Sequence, residues 1–477
     1  MKNTPNNFIR LDQISTTPLY LQIYERFREV IAKGLLKPGD RVPSLRNLSS
    51  ELNVARGTVE AAYEMLVGEG LFLPRGQAGT VIAPSLKTHS YALQHQLNKS
   101  ETILHRVESE VANSPQPFQL GLPALDAFPR KLWSKIGCHI IKSASARDMN
   151  YPDNKGLFSL RHALAGYLNV SRGILCKPSQ IIITDGYRGS LSLISRAYIK
   201  ANDQVWMEDP GYFATRNLLG AIEVKVIPVP VDDQGIIVEY GLSRAPRAVM
   251  AIVTPSHQSP LGVTLSLSRR LELLRWASEN MSWIVEDDYD GEYRYTSRPL
   301  PALKSLDNDD RVIYAGTFSK VLSPALRLAY IVVPESQVAH FESVCEAFQN
   351  GCPWLTQATV AEFILEGHFS RHLKKMRALY CHRRSLLVDA LKKSFAEQIQ
   401  ISLQAGGMHL VIRFNQQYDD QYLAKHLNES GLAVHSLSSW STKHDCGHGL
   451  LIGFTNIHSA EYAEMLVGRM KNIINAN

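Results

Sequence analysis

Apolar residues recur at Leu19, Ile23, Phe27, Val30 and Ile31 with polar residues between them, the spacing of an amphipathic helix over "PLYLQIYERFREVIAKGLL". "KPGDRVP" then interrupts the pattern with two prolines and a glycine. Ser44 reads as the N-cap of a second helix, "SLRNLSSELN", which Asn53 ends, and a third helix runs from about Arg56 to Gly68. "LFLPRGQAGTVIA" predicts two short strands around a glycine-containing turn. Residues 15–83 are therefore expected to form a compact α+β unit of three helices and a β-wing.

Residues 84–116 have few aliphatic clusters and are rich in Ser, Asn, Gln, His and Lys, which reads as a linker. As a flexible coil of about 30 residues it would span roughly 30 Å; a partly ordered arm packed on either domain is the alternative. From residue 117 strand-like runs alternate with helical segments: "QIIIT", "DQVWMED", "IEVKVIPV", "AVMAIVTP", "WIVEDD", "RVIYAGT" and "LAYIVVP". That alternation predicts an α/β domain over 117–477 with a mainly parallel sheet covered by helices. Past about residue 335 long helices and a few strands ("HLVIRF", "GLLIGF") predict a smaller C-terminal α+β subdomain.

Composition adds limits more than identity. A chain of 477 residues is too long for one hydrophobic core, and 45% hydrophobic with 20% charged residues is ordinary globular material. The net charge of +6 permits nucleic-acid binding without demanding it, since the first 83 residues hold ten Lys/Arg against eight Asp/Glu. Any such binding must rest on where the arginines sit. No stretch of 18 apolar residues and no apolar leader is present, so neither a membrane span nor a signal peptide is expected. The cysteines at 138, 176, 345, 352, 381 and 446 contain no C-x-x-C pair, which fits reduced thiols in the cytoplasm.

A groove-reading helix needs a rigid partner helix and short polar residues near its N-terminus. "LNVARGTV" supplies Val54 as an anchor and Arg56, Gly57 and Thr58 at the helix start; Arg46 projects from the helix before, and Arg75 with Gly76 sits at the wing tip. Spacing alone also allows a protein-docking domain with surface arginines. The stretch 18–83 closely resembles the winged helix of the GntR superfamily, in G-D-x-x-P-S-x-R, R-x-T-V, E-G-L and a wing that here reads "GQAGT". That resemblance implies contact with double-stranded DNA by Arg46, Arg56, Thr58, Arg75 and Gly76.

A pyridoxal phosphate site needs a lysine amine for the aldehyde, a carboxylate at the ring nitrogen, a stacking ring, and N–H, hydroxyl and guanidinium donors for the phosphate. "TDGYRGSLSLI" follows a strand and opens a helix, where the N–H groups of Tyr187 and Arg188 could hold phosphate. "EDPGYF" offers Tyr212, "WIVEDDYDGEYRY" offers Asp287 and Tyr289, and "GTFSKVLSPALR" brings Thr317, Lys320 and Arg327. Each is weak alone; a lone Ser-Lys is usually surface and a Gly-rich turn is usually just a turn. Their collection at the strand ends of one parallel sheet points to a ligand site.

Residues 117–475 resemble the fold-type I aminotransferase domain, through "YPDNKGLFSLRHALAGYL", "TDGYRGSLSL", "TPSHQSPLGVTLS" and "GTFSKVLSPALRLAY". The resemblance implies pyridoxal 5'-phosphate as cofactor. It makes Lys320 the aldimine lysine, Asp287 the partner of the ring nitrogen, Tyr289 the neighbour of the ring hydroxyl and Tyr212 the stacking ring. Tyr187, Arg188, Thr317 and Arg327 fall on the phosphate. A GntR-type reader fused to this fold resembles the MocR subfamily of bacterial transcriptional regulators, usually a domain-swapped homodimer.

Two positions depart from working aminotransferases. Their asparagine before Pro-x-Gly, at the ring hydroxyl, falls on Ser259, and the arginine that clamps an α-carboxylate falls on Leu450 in "HGLLIGF". Losing that guanidinium removes an anchor worth about 1.5–3 kcal/mol unless Arg216, Arg294 or another basic group replaces it. The effector is then an unusual amine or pyridoxal phosphate itself, the latter preferred. His435, His444, Cys446 and His448 in one loop could hold zinc, but a solvated loop is the commoner outcome, and no metal is expected. Cys345 and Cys352 read as core thiols. The sequence thus predicts a transcriptional regulator that senses pyridoxal phosphate, an amine or an amino acid through Lys320. An active aminotransferase with an accessory DNA domain and a cofactor-free dimerisation scaffold are the rivals.

Overall fold

The structure, a computed structural model, describes residues 11–12, 15, 17–84, 115–295, 301–416 and 418–476. The chain divides into two units, residues 1–108 and 109–477. Of the expected linker, all but residues 84, 115 and 116 lies outside the described residues.

In the first unit α1 (Leu19–Ala32), α2 (Leu45–Leu52) and α3 (Arg56–Gly68) precede β1 (Phe72–Pro74) and β2 (Thr80–Ile82). The Ser44 hydroxyl accepts from Asn47 N at 3.2 Å, capping α2, and Asn53 turns the chain out of it with φ 52°. Ile23, Phe27, Val59, Leu66 and Phe72 form the core. Phe27, Tyr63 and Phe72 meet edge to face at 5.0–5.7 Å, a geometry that favours one packing over others. The Tyr63 hydroxyl donates to Pro43 O at 2.9 Å, tying α3 to the turn before α2. β1 and β2 pair antiparallel, and Arg41 bridges to Val81 on the outer edge.

The second unit is built on eight strands. They are β3 (Ile181–Thr184), β4 (Gln204–Asp209), β5 (Lys225–Asp232), β6 (Gly235–Ile236), β7 (Met250–Val253), β8 (Trp283–Asp288), β9 (Val312–Thr317) and β10 (Ala329–Val332). Their order is β3-β10-β9-β8-β7-β4-β5-β6. β5, β4, β7, β8 and β9 run parallel, while β10 pairs antiparallel with both β9 and β3. The sheet is therefore mixed: β10 is reversed inside it, and β6 returns antiparallel on β5. β3 and β7 are buried on both faces, because helices such as Tyr187–Tyr198 and Leu267–Glu279 cover the sheet.

The C-terminal part packs the long helix His368–Phe395 and the helix Ala460–Asn475 against a second, antiparallel sheet. It consists of β11 (Ile399–Ser402), β12 (His409–Phe414), β13 (His435–Ser436) and β14 (Leu450–Gly453), ordered β11-β12-β14-β13. Among the described residues no helix is long and apolar enough to cross a membrane. One consequence of the large sheet matters most: the C-terminal ends of β3, β4, β7, β8 and β9 share one edge, where open α/β sheets take ligands.

Candidate functional site

β9 ends at Thr317 and the chain turns at once into the short helix Phe318–Val321, so Lys320 stands at the sheet edge. Its Nζ donates to Gly121 O at 2.8 Å. Burial lowers the pKa of this amine, while Asp290 and Asp287 pull it back up. β8 brings Asp287 beside it. Successive strand residues face opposite ways, so Asp287 lies against the Tyr187 hydroxyl while Asp288 turns to Arg172. Burial pushes the Asp287 carboxyl up to about 7, with help from Glu208 and Asp290 and against Tyr187 and Lys320. Glu208, at the end of β4, is likewise raised to about 7 by burial.

A group whose proton is held more tightly in the folded state stabilises the fold at low pH and loses that effect as pH rises. For Asp287 the window runs from about 4, its ordinary range, to about 7. The melting temperature of the cofactor-free Asp287→Asn protein should therefore rise relative to wild type as pH is raised across that window. Parallel profiles would show that the carboxyl is solvated.

The helix Tyr187–Tyr198 begins directly after β3 with no side-chain cap at Gly186, whose φ is 100°. The first N–H groups of a helix have no partner inside it, so those of Tyr187 and Arg188 are available to an anion. Arg327 reaches over this turn: its guanidinium donates to Asp185 O at 3.1 Å, and a Cβ on Gly186 would lie 3.3 Å from it. The Arg188 side chain turns away into an exposed groove shared with Asp185 and Arg196. Thr317 Oγ1 accepts from Ser319 N at 3.1 Å, capping the short helix that carries Lys320.

Tyr212 begins the helix that follows β4, its ring centroid 6.1 Å from those of Tyr187 and Trp440. The Tyr289 hydroxyl faces Ser259 and stands 2.9 Å from His257 Nδ1, which is also 3.1 Å from Asp290 Oδ2. Sequence reasoning passed over four of these groups. His257, Asp290 and Glu208 lie inside the quoted motifs "TPSHQSPLGVTLS", "WIVEDDYDGEYRY" and "EDPGYF". Gly121 carried no local signal.

The position assigned to the carboxylate-binding arginine needs a correction. Leu450 packs into the main core with Leu410, Ile412 and Ile452. Leu451, the next residue of β14, joins Val411, Leu437 and Trp440 in the cluster that touches Tyr212 and Leu261. The residue on the pocket side is Leu451, because adjacent strand residues alternate faces, and it too is hydrocarbon. Arg216 donates instead to Trp440 O, and Arg294 lies 3.5 Å from Thr264 Oγ1.

The loop after Trp440 is fastened to the end of β4. Asp209 accepts from the N–H groups of Thr442, Lys443 and His444 at 2.7–2.9 Å and from the hydroxyls of Ser441 and Thr442 at 3.2 Å. Burial raises this carboxyl, but these donors outweigh it and hold it below the usual carboxylate range. His444 Nε2 sits 3.2 Å from Pro228 O and Cys446 Sγ rests on Leu437 O, so the loop's His and Cys face different partners. Among the described residues no group of three or more His, Cys, Asp or Glu is placed to hold a metal ion.

In the first unit Arg56 and Thr58 lie in the opening turn of α3, Arg46 lies on α2, and Arg75 and Gly76 form the turn of the wing. The three arginines are exposed. The ion pairs of this unit join Arg26, Arg28 and Lys33 to Glu29 and Glu69, and among the described residues none engages Arg46, Arg56 or Arg75.

Comparison with known proteins gives these two units their kin. Residues 127–448 match the family Aminotransferase class I and II, and residues 19–82 match Bacterial regulatory proteins, gntR family. The chain is 33% identical over 465 residues to the probable rhizopine catabolism regulatory protein MocR of Rhizobium meliloti, covering 94% of this chain and 92% of that one. It is 32% identical to the HTH-type pyridoxine biosynthesis transcriptional regulator PdxR of Corynebacterium glutamicum, covering 94% of each. Among solved structures, the Pyrococcus horikoshii kynurenine aminotransferase with PMP aligns with a TM-score of 0.70 and 26% identity, over 82% of this chain and 98% of that one.

The aminotransferase class I and II fold is a pyridoxal phosphate fold, and the residues here fit that cofactor. A buried carboxyl that holds its proton to about 7 suits a ring nitrogen able to share it, and the uncapped helix start beneath Arg327 suits a phosphate. With its two halves in this order, and with relatives that share them over nearly the whole length, the chain belongs to the MocR subfamily of GntR-type transcriptional regulators, a winged helix-turn-helix joined to a pyridoxal-phosphate-binding aminotransferase domain.

Proposed function

We propose that this regulator senses pyridoxal phosphate, or an amine that exchanges onto it, at Lys320, and that the occupied pocket changes how the protein holds its operator in the cytoplasm. Residues 15–83 act as the DNA-binding domain, 84–116 as linker and 117–477 as effector domain. The observation that carries the reading is the enclosed Lys320 amine beside Asp290 and Asp287, in a chain whose other unit presents exposed Arg46, Arg56 and Arg75.

Pyridoxal phosphate, when bound, supplies an aldehyde to which an amine nitrogen bonds with loss of water, and a ring that draws electrons from that bond. Lys320 presents the nitrogen. Asp287 keeps a proton at the ring nitrogen, Tyr289 and Ser259 face the ring hydroxyl, and Tyr212 covers the ring. The N–H groups of Tyr187 and Arg188, with Thr317 and Arg327, hold the phosphate. The hydrocarbon at Leu451 and the carboxylates near Lys320 favour pyridoxal phosphate or an amine over a plain α-amino acid as effector.

On DNA, Arg56 and Thr58 meet base edges or phosphate at the start of α3, while Arg46, Arg75 and Gly76 hold the backbone. Two copies pair as a domain-swapped dimer, for which the exposed Met149, Tyr151 and Phe158 supply apolar surface. A change in pocket occupancy then alters the placement of the two reading heads against the half-site spacing.

The test is a titration with pyridoxal phosphate and a panel of amines while retention of DNA upstream of the protein's own gene is followed. Arg56→Ala should weaken retention by about 1–3 kcal/mol and leave the cofactor absorbance unchanged. An unaltered gel shift removes the DNA role of Arg56, and steady turnover of amino donor and keto acid replaces the sensor reading with an enzyme.

A further inference from the structure

The segment that follows the expected linker, residues 117–126, crosses the pocket and touches Lys320. Gly121 sits in the middle of it with φ +65°, and a Cβ there would lie 2.5 Å from Lys320 Nζ. Glycine takes this backbone conformation without strain and leaves room for the amine, which a side chain would have to displace. The flanks are tied to the C-terminal subdomain. Pro117 O accepts from Ala433 N and Phe118 O from Gly453 N, each at 2.8 Å, and Phe118 is buried. Beyond Gly121, Leu122 O accepts from Thr455 Oγ1 and Ala124 N donates to the Tyr380 hydroxyl at 2.9 Å. Asp126 pairs with Arg383. The Tyr380 ring packs edge to face on Tyr293, whose hydroxyl donates to Lys320 O.

We propose that the Gly121 carbonyl is a positioning group for the Lys320 amine, and that the segment carrying it relays to the adjoining linker whether that nitrogen is free or bonded to the cofactor. The inference rests on the reading of Lys320 as the cofactor's lysine. A free amine donates to Gly121 O and pins the segment. When Nζ bonds to the aldehyde carbon, the carbonyl oxygen leaves as water with two amine hydrogens, and Gly121 loses its donor. An effector amine that takes the aldehyde returns Nζ to Gly121 and pins the segment again. Pinned and released forms thus correspond to free and bonded lysine, at the point where the chain leaves for the DNA-binding unit.

Hydrogen exchange on the full-length protein tests this, with the amides of Ala124 and Gly453 as reporters. Loading pyridoxal phosphate should speed their exchange roughly tenfold, the scale set by one lost hydrogen bond, and an exchanging amine should restore protection. Lys320→Ala should exchange fast with or without cofactor. Gly121→Ala, whose methyl displaces Nζ, should shift the pH at which the cofactor absorbance titrates, which a merely structural glycine would not do. A loaded protein with a lysine adduct but unchanged or slower exchange overturns the relay alone. An unshifted absorbance profile in Gly121→Ala overturns the positioning role, and absence of any adduct on Lys320 overturns this inference together with the reading beneath it.

Discussion

Replacing Lys320 with alanine is expected to abolish covalent attachment of pyridoxal phosphate and the visible absorbance that accompanies it. Hydride trapping followed by mass spectrometry of the tryptic peptide is the direct measurement. The expectation follows from placement: Nζ is the amine beside Asp287, and burial favours its neutral, nucleophilic form. Lys304, the other enclosed lysine next to β9, cannot substitute. It donates to Val312 O at the start of that strand, the opposite end from Lys320. Phosphate binding at the Tyr187 helix and Arg327 should survive, so the variant still takes up cofactor, loosely. A ligand at 100 times its Kd stabilises a fold by about 2.7 kcal/mol, and most of that gain should vanish with the lysine. An adduct on a different peptide would move the reactive centre elsewhere.

The second large effect is on stability. Arg172 and Asp288 form an ion pair whose side chains are 1% and 0% exposed. The Tyr314 hydroxyl adds a hydrogen bond to Asp288 at 2.6 Å, and Arg172 also donates to Gly291 O. Gly291 is required there, since a Cβ would fall 1.9 Å from the guanidinium. Arg172→Met leaves a buried carboxylate with no cation and should cost about 3–5 kcal/mol, read from the midpoint of urea denaturation. Removing both charges, as Arg172→Met with Asp288→Leu, should recover much of that loss, because a well-packed apolar pair avoids the desolvation penalty. A single variant costing under about 1 kcal/mol would mean that water reaches the pair. Because Asp288 follows Asp287 on β8, the single variant should also disturb the cofactor absorbance.

The winged unit was legible because its signals are local. Ser44 caps, Asn53 turns left-handed, and the 3.6-residue spacing of Ile23, Phe27 and Val30 marks one face. The seven strands of the large sheet read from apolar runs are present, and the chemistry at their ends could be placed because parallel strands share an edge. The reversal of β10 could not be seen, since an apolar strand buried on both faces reads the same in either direction. The two-residue strands β6 and β13 are too short to show a period. Leu450 and Leu451 differ by the step that exchanges the faces of a strand, so assigning the pocket position demanded the pairing of β14 with β12. The approach of Gly121 to Lys320, across 199 residues of chain, and the pairing of Arg172 with Asp288 are products of tertiary packing alone.

The fastening of residues 441–444 to Asp209 has a further consequence for the pocket. Five donors converge on one carboxylate, so the loop between β13 and β14 cannot leave the end of β4 without stripping them all together. Any movement of that loop away from the end of β4 must give up these bonds as a set, which holds Trp440 against the Tyr212 ring.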